Sequence, residues 1–364
     1  MNITIKKADH FAAPPASLTN VGFGQVFADR MFAMDYTPAD GWHDARIEPL
    51  HSLTLHPACC VFHYGAEVFE GLKAYRRSDG GIQLFRPHDN GQRLAASCER
   101  MGLPQLEPEV FVEAVRALVS EAAAWVPHEP GTSLYLRPFV ICTDTQLGVH
   151  GVHNAAFYII ASPVGTYYPR GLAPVRIAIE RDDVRAVRGG TGYAKCGGNY
   201  AAAARATVRA EQAGYDQVLW LDGVERRYIE EVGAMNVMFK IGDTVVTPSL
   251  TGSILPGITR STCITLLREA GLRVEERQLD VSELLAAVRA GRLEEAWGCG
   301  TAAVISPIGT LAFDGVDYTV GNGGIGSLSQ RLYDTITDIQ YGRRADRHHW
   351  VLPVPVRCKT HRIA

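Results

Sequence analysis

The sequence predicts a mixed α/β (α+β) protein of two domains. A smaller α/β N-terminal domain is expected over 1–165, a linker over 166–175 and a larger C-terminal domain over 176–364. Three observations carry this reading. The chain has 364 residues, 46% of them hydrophobic, enough to bury more than one core. Short stretches that alternate with period two are interleaved with stretches of helical period. Between the halves lies Gly165-Thr166-Tyr167-Tyr168-Pro169-Arg170-Gly171-Leu172-Ala173-Pro174, whose glycines and prolines forbid regular structure.

In the first half, the alternation through Val68 and Phe69, then Leu72 to Arg76 and Ile82 to Phe85, predicts paired strands that turn at Ser78-Asp79-Gly80-Gly81. Asn90 is a candidate helix cap before Arg93, Leu94 and Cys98, with Gly102 as the stop. Pro108 opens an amphipathic helix with Phe111, Val115, Leu118, Val119 and Ala122 on one face. Strands follow around Leu134 to Arg137 and Ala156 to Ile160.

The second half resumes with a strand over Val175 to Ile179, a glycine-framed loop and a helix from Asn199 to about Ala213. Further strands are expected at Val218 to Leu221, Ala234 to Ile241, Glu295 to Trp297 and Ala303 to Ile305. Helices are expected after Pro256-Gly257, over Val281 to Ala290 and over Ser327 to Tyr341. The arginine-rich end, Arg343 to Arg362, reads as a solvated tail.

Composition narrows the function classes. A formal net charge of −3 and a sequence pI near 6.5 provide no basic field for nucleic acid, and no dense Lys/Arg tract suggests an anionic membrane. No run of about 18 apolar residues occurs, and the start Met1-Asn2-Ile3-Thr4-Ile5-Lys6-Lys7 lacks the apolar core of a secretory signal, so a cytoplasmic protein is expected. The eight cysteines show no C-x-x-C and no zinc-type spacing with histidines, so reduced thiols are expected and no metal. Cys196 and Cys299 are candidates for lining a pocket. His150 and His153 fall in a segment read as a surface loop.

Chemistry concentrates at Gly189-Gly190-Thr191-Gly192-Tyr193-Ala194-Lys195-Cys196-Gly197-Gly198-Asn199-Tyr200. Glycines permit close backbone approach to a ligand, and a lysine among small neighbours sheds its proton readily and becomes a nucleophile of the Schiff-base kind. An ordinary surface turn fits this segment alone equally well, and it matches no nucleotide loop. Downstream, Tyr228-Ile229-Glu230-Glu231-Val232-Gly233-Ala234-Met235-Asn236 reads as one strand with Glu231 and Glu230 on opposite faces. An inward carboxylate there needs a cationic partner, such as the protonated ring nitrogen of a pyridine cofactor. Ser253-Ile254-Leu255-Pro256-Gly257-Ile258-Thr259 runs from a glycine turn into a helix, whose N-terminal amides suit phosphate. Gly298-Cys299-Gly300-Thr301-Ala302 is a second small-residue turn with a hydroxyl, although a plain β-turn explains it as well.

Seven ordered segments resemble one family. They are Tyr64 to Tyr75, Phe85 to Arg93, Ser133 to Pro138, Lys195 to Tyr200, Glu231 to Asn236, Leu255 to Arg260 and Gly298 to Ala302. The family is that of the branched-chain amino acid aminotransferases, class IV aminotransferases of fold-type IV, and the resemblance runs from Phe23 to Tyr341. It implies a larger C-terminal domain built on a pseudo-barrel sheet, a homodimer, and pyridoxal 5'-phosphate held between the domains. Lys195 is then the catalytic residue and covalent anchor. Glu231 holds the pyridine nitrogen, Tyr200 the phenolic oxygen, and Arg93, Ile258, Thr259 and Thr301 the phosphate.

For the substrate, the resemblance implies apolar walls from Phe69, Tyr64 and Tyr167, with Trp220, Met235 and Phe23 as further wall candidates. Tyr135 with the backbone at Thr301 and Ala302 would take the α-carboxylate, and Arg137 the distal carboxylate of glutamate. The expected substrates are leucine, isoleucine and valine with 2-oxoglutarate and glutamate. Two departures from the vertebrate members stand out: Ala234 replaces a threonine, and the redox C-x-x-C is replaced by Ala302-Ala303-Val304-Ile305. Rivals within the fold are a D-amino acid aminotransferase and an aminodeoxychorismate lyase. A rival of another class is a non-catalytic cofactor-binding scaffold.

Overall fold

The structure is a computed structural model that describes residues 1–6, 12–17, 22–165 and 172–356. The chain divides into two compact units, Met1–Tyr167 with Asp338–Ala364, and Tyr168–Thr337. Tyr167 and most of the expected linker lie outside the described residues, while Leu172 to Pro174 carry neither helix nor strand.

The first unit holds β1 (Thr4–Ile5), β2 (Arg30–Thr37), β3 (Gly41–Pro49), α1 (Cys60–Tyr64), β4 (Glu67–Phe69), β5 (Leu72–Arg76), β6 (Ile82–Phe85), α2 (Pro87–Met101), α3 (Pro108–Glu121), β7 (Ser133–Cys142) and β8 (Ala155–Val164). The pairing order is β1-β3-β2-β8-β7-β5-β6, with β4 also on β7. Both β4 and β5 run antiparallel to β7, with Phe69 opposite Phe139 and Lys73 opposite Tyr135. This register brings the Phe69-Glu70-Gly71 corner beside Tyr135 and Arg137. Phe32, Phe111 and Phe157 are fully buried, each contributing roughly 1.5–3 kcal/mol of burial free energy. A Cβ at Gly91 would lie 3.0 Å from Pro108 Cα, so a glycine is what lets α2 meet the start of α3. Asn90 does not cap α2. The helix starts at Pro87 after Arg86 in the left-handed region, and it stops at Gly102 with φ +66°.

The second unit holds β9 (Val175–Ile179), α4 (Gly197–Ala201), α5 (Ala204–Gln212), β10 (Gln217–Leu221), β11 (Ile229–Val232), β12 (Asn236–Ile241), β13 (Thr244–Thr247), α6 (Ile258–Glu269), β14 (Arg273–Glu276), α7 (Val281–Arg289), β15 (Leu293–Gly300), β16 (Val304–Phe313), β17 (Val316–Thr319) and α8 (Ser327–Gln340), which runs on into the C-terminal segment. Its strands pair in the order β11-β10-β9-β16-β15-β12-β13-β14, with β17 on β16. The isolated pair Val232/Met235 brings β12 back to β11, so β11, β10, β9, β16, β15 and β12 come round into a barrel-like ring. Ile177, Leu219, Val237, Phe239, Ala296 and Leu311 fill one buried cluster, as alternation from each of these strands requires.

Three expectations are corrected. Tyr228 to Val237 is a tight hairpin rather than one strand: Gly233 has φ +54°, Val232 and Met235 exchange both backbone hydrogen bonds, and the period-two rule stops at Val232. The helix expected from Asn199 breaks into α4 and α5. The C-terminal segment is not wholly a tail, because β18 (Val351–Val354) pairs antiparallel with β6 in the first unit, and its Pro353 sits in an edge strand where a missing N–H costs least. The second domain expected to run to 364 therefore ends earlier.

Candidate active site

The lysine loop is shaped by Asn199, at the start of α4. Its Nδ2 donates to the carbonyls of Thr191 and Ala194, both at 2.8 Å, and its Oδ1 accepts from Thr191 Oγ1 at 2.8 Å. A Cβ on Gly192 would lie 2.1 Å from the Ser253 carbonyl oxygen, so the loop closes on the 253–255 strip only with glycine there. Lys195 is thereby held half-buried, one helical turn from Tyr200, and its Nζ donates to Tyr200 Oη at 2.7 Å. The amine is aimed by a hydroxyl that can trade protons with it.

Glu231, on β11, is 3% exposed. Its Oε1 accepts from the Leu255 amide at 2.8 Å, and its Oε2 lies 3.2 Å from Arg185 Nε. The Arg185 N–H is not directed at that oxygen, so the two are paired by charge without an aligned hydrogen bond. Arg185 Nη2 also donates to the carbonyls of Gly192, at 3.3 Å, and Ser253. One buried cation thus ties the carboxylate to the lysine loop. A cleft alongside is lined by Arg185, Asn199, Tyr200, Glu231, Ala234 and Leu255. Sequence reasoning missed Arg185, since nothing in its local pattern separates it from Arg181 or Arg188, and it assigned Asn199 no role.

Glu230 is also buried but points elsewhere. Its Oε1 accepts from Ser253 Oγ, and burial pushes its carboxyl above the usual range. The two adjacent carboxylates occupy opposite surroundings, as alternation predicts.

Both phosphate-type turns are at one end of the second sheet, because Asn236, the first residue of β12, stands opposite Cys299 near the end of β15. Asn236 Nδ2 donates to the Leu255 carbonyl at 2.9 Å, and a Cβ on Gly257 would lie 1.8 Å from Asn236 Oδ1. The Leu255-Pro256-Gly257 turn is therefore pressed against β12. Helix α6 begins at Ile258 after Gly257, which has no side chain to cap it, and Thr259 on its first turn is buried. Thr301 and Ala302 form the turn between β15 and β16, which ends at Val304 with φ +63°, a conformation that costs a β-branched residue on the order of 1–3 kcal/mol.

In the first unit, Arg93 on α2 makes a two-point pair with the fully buried Glu70, Nε to Oε1 at 2.7 Å and Nη2 to Oε2 at 2.9 Å. Asn90 Nδ2 and the Gly71 amide also donate to Glu70 Oε2, at 2.8 and 3.1 Å. Tyr135 Oη accepts from Arg137 Nη2 at 3.0 Å, and the Arg137 guanidinium lies 4.7 Å from the Phe69 ring centre. Phe23 packs edge-on to Tyr135 at 4.8 Å. Arg137 Nε is buried and has no hydrogen-bond partner among the described residues.

Two wall candidates are otherwise engaged. Trp220 is fully buried against Ala206, Ala210 and Val218, and its Nε1 donates to the Gly233 carbonyl, so it is core. Met235 packs over Gly298 and against the barrel cluster. Tyr64 is 43% exposed, and its Oη accepts from the Gly148 amide at 2.8 Å. Cys196 and Cys299 are both almost wholly buried.

Comparison with known proteins places this geometry. Residues 67–311 match the model of the family described as amino-transferase class IV. The chain is 52% identical over 337 residues to the branched-chain-amino-acid transaminase 1 of Bacillus subtilis (strain 168), covering 92% of this chain and 95% of that one. It is 48% identical over 337 residues to the probable branched-chain-amino-acid aminotransferase of Streptomyces coelicolor, covering 92% and 93%. The crystal structure of the Escherichia coli branched-chain amino acid aminotransferase superposes with a TM-score of 0.74 at 27% identity, covering 85% of this chain and 97% of that one. With its lysine loop, buried carboxylate and paired turns inside the matched region, the chain belongs to the class IV aminotransferase family, whose enzymes depend on pyridoxal phosphate.

Proposed function

We propose that this chain transfers the amino group between L-leucine, L-isoleucine or L-valine and 2-oxoglutarate, yielding branched-chain 2-oxo acids and L-glutamate. The observation that carries the substrate reading is Arg137. Its guanidinium lies over the Phe69 ring while its buried Nε lacks a partner among the described residues, so one wall offers an apolar face and a cation with a donor to spare. A site that must take a branched aliphatic side chain and then the distal carboxylate of glutamate needs both.

The donor set suits pyridoxal phosphate: a primary amine on a phenol, a buried carboxylate, and a helix start behind a glycine with no room for a Cβ. When bound, that cofactor supplies an electron sink for a negative charge developing at the substrate α-carbon. Lys195 Nζ is the covalent anchor and the base that takes and returns the α-proton, with Tyr200 Oη as its hydrogen-bond partner. Glu231, paired with Arg185 at 3.2 Å, would hold the pyridine nitrogen protonated. The amides of Ile258 and Thr259, the hydroxyls of Thr259 and Thr301, and the Arg93 guanidinium hold the phosphate, with Arg93 set at a fixed angle by Glu70. Tyr135 and the backbone at Thr301 and Ala302 bind the α-carboxylate. Phe69, Tyr64 and Tyr167 are the apolar walls.

The working form is a homodimer. Phe62, Tyr64, Leu147 and Val149 are 60%, 43%, 65% and 89% exposed, and the Gly148–Tyr64 hydrogen bond gathers them at one place on the first unit, a surface that a second copy would cover. No helix among the described residues is long and apolar enough to cross a membrane, and we assign the protein to the cytoplasm.

The visible spectrum with and without leucine, set beside Lys195→Ala, tests this reading. A yellow band that leucine converts to a pyridoxamine-type band in the parent alone supports it. A protein that never takes up pyridoxal phosphate overturns it, and a response to D-alanine only moves the chain to the D-amino acid branch.

A further inference from the structure

Outside the residues assigned above, the connection between β7 and β8 gathers three metal-ligating side chains. Asp144, His150 and His153 each offer an atom, and these three atoms lie within 4.8 Å of one another. Asp144 Oδ2 is 3.8 Å from His150 Nδ1 and 3.7 Å from His153 Nδ1. Ligands of a tetrahedral zinc ion with bonds near 2 Å stand about 3.4 Å apart, so Asp144 Oδ2 and His153 Nδ1 are already within a few tenths of an ångström of that spacing.

The carboxylate is fixed in advance. Asp144 is 6% exposed, its Oδ1 accepts from the Asn154 amide at 2.8 Å and Asn154 Nδ2 at 2.7 Å, and its Oδ2 accepts from the His153 amide at 2.8 Å. The two imidazoles stack, ring centres 5.7 Å apart and planes 19° from parallel. His150 is under-used. Its Nδ1 faces the Gly151 carbonyl at 2.7 Å, which places the ring proton there, while its Nε2 is buried with no hydrogen-bond partner among the described residues. The ring therefore carries a buried lone pair that no donor among the described residues takes up, which costs stability. A Lewis acid removes that cost, and an N–H held by a backbone carbonyl on the far side of a ligating imidazole is the usual outer support.

We propose that Asp144, His150 and His153 form a binding site for one divalent transition-metal ion of the zinc type, separate from the residues assigned to the cofactor. Two imidazoles and one carboxylate suit zinc, cobalt or nickel over magnesium or calcium, which prefer all-oxygen sites. Three protein ligands leave a position for water. The set holds no cysteine, so it carries no zinc-type cysteine spacing in the sequence, and the turn of one loop assembles it.

The test is titration of the chelator-treated, redialysed full-length protein with Zn²⁺ by calorimetry, repeated with Co²⁺ while its visible d–d absorption is followed. The expected result is one ion per chain and a Co²⁺ spectrum of low coordination number. His153→Ala, chosen because that side chain is 64% exposed, and His150→Gln should each weaken binding by more than about 10-fold. Unchanged melting of both variants without metal shows that they fold. No binding by the parent, or the same affinity in parent and variants, overturns the proposal, and the latter places the ion on other histidines or thiols.

Discussion

Arg185 and Glu231 face one another at 3.2 Å in the second unit, both more than nine-tenths buried, and Arg185 also holds the carbonyls of Gly192 and Ser253. A buried pair of this kind adds little net stability when intact, but removing one partner strands the other.

Arg185→Met should accordingly cost about 3–5 kcal/mol of stability. Urea unfolding of the cofactor-free protein measures it. Arg185→Lys keeps the charge but not the two-carbonyl grip and should fall between parent and Met; a Met variant as stable as the parent would show that Glu231 finds another partner.

Tyr200→Phe removes the acceptor of the Lys195 Nζ hydrogen bond at 2.7 Å. A hydrogen bond to a charged group is worth about 1.5–3 kcal/mol, so kcat should fall about 10- to 100-fold. The pH at which the visible band titrates should shift with it, which a purely structural loss would not produce.

Arg137→Met leaves the Phe69 wall in place and removes the cation above it. Steady-state kinetics should show kcat/KM for 2-oxoglutarate reduced about 10- to 100-fold, with leucine affected far less. Equal losses for both substrates would remove the distal carboxylate from Arg137.

Glu230 supplies the pH prediction. Burial raises its carboxyl pKa in the folded state, so between the ordinary carboxylate pKa and the raised one the folded protein binds more protons than the unfolded chain. Stability contributed by the protonated form is present below the ordinary value and is lost as pH rises through the raised one. Glu230→Gln keeps an acceptor for Ser253 Oγ and no longer ionises, so its urea midpoint should exceed the parent's near neutrality, the gap closing on acidification.

The lysine loop was legible because its requirements are local. Glycine where a loop must close, a tyrosine one turn on, and amides at a helix start are all set by neighbours in the chain. Glu231 was legible for the same reason, as one of two adjacent carboxylates that strand alternation turns to opposite faces. The hairpin at Gly233-Ala234 was not, because a strand period continues in the letters after the backbone has turned.

Local pattern thus determined the element types, the lysine loop and the carboxylate. Tertiary structure decided which partner each buried charge meets: Arg185 with Glu231, Glu70 with Arg93, and Asp144 with two histidines of its own loop. It also decided that Val351–Val354 returns to the first sheet and that Trp220 is core. The physical reason is desolvation. A charge taken out of water must be paired wherever the fold delivers a partner, and neither residue of such a pair carries a local mark of the other.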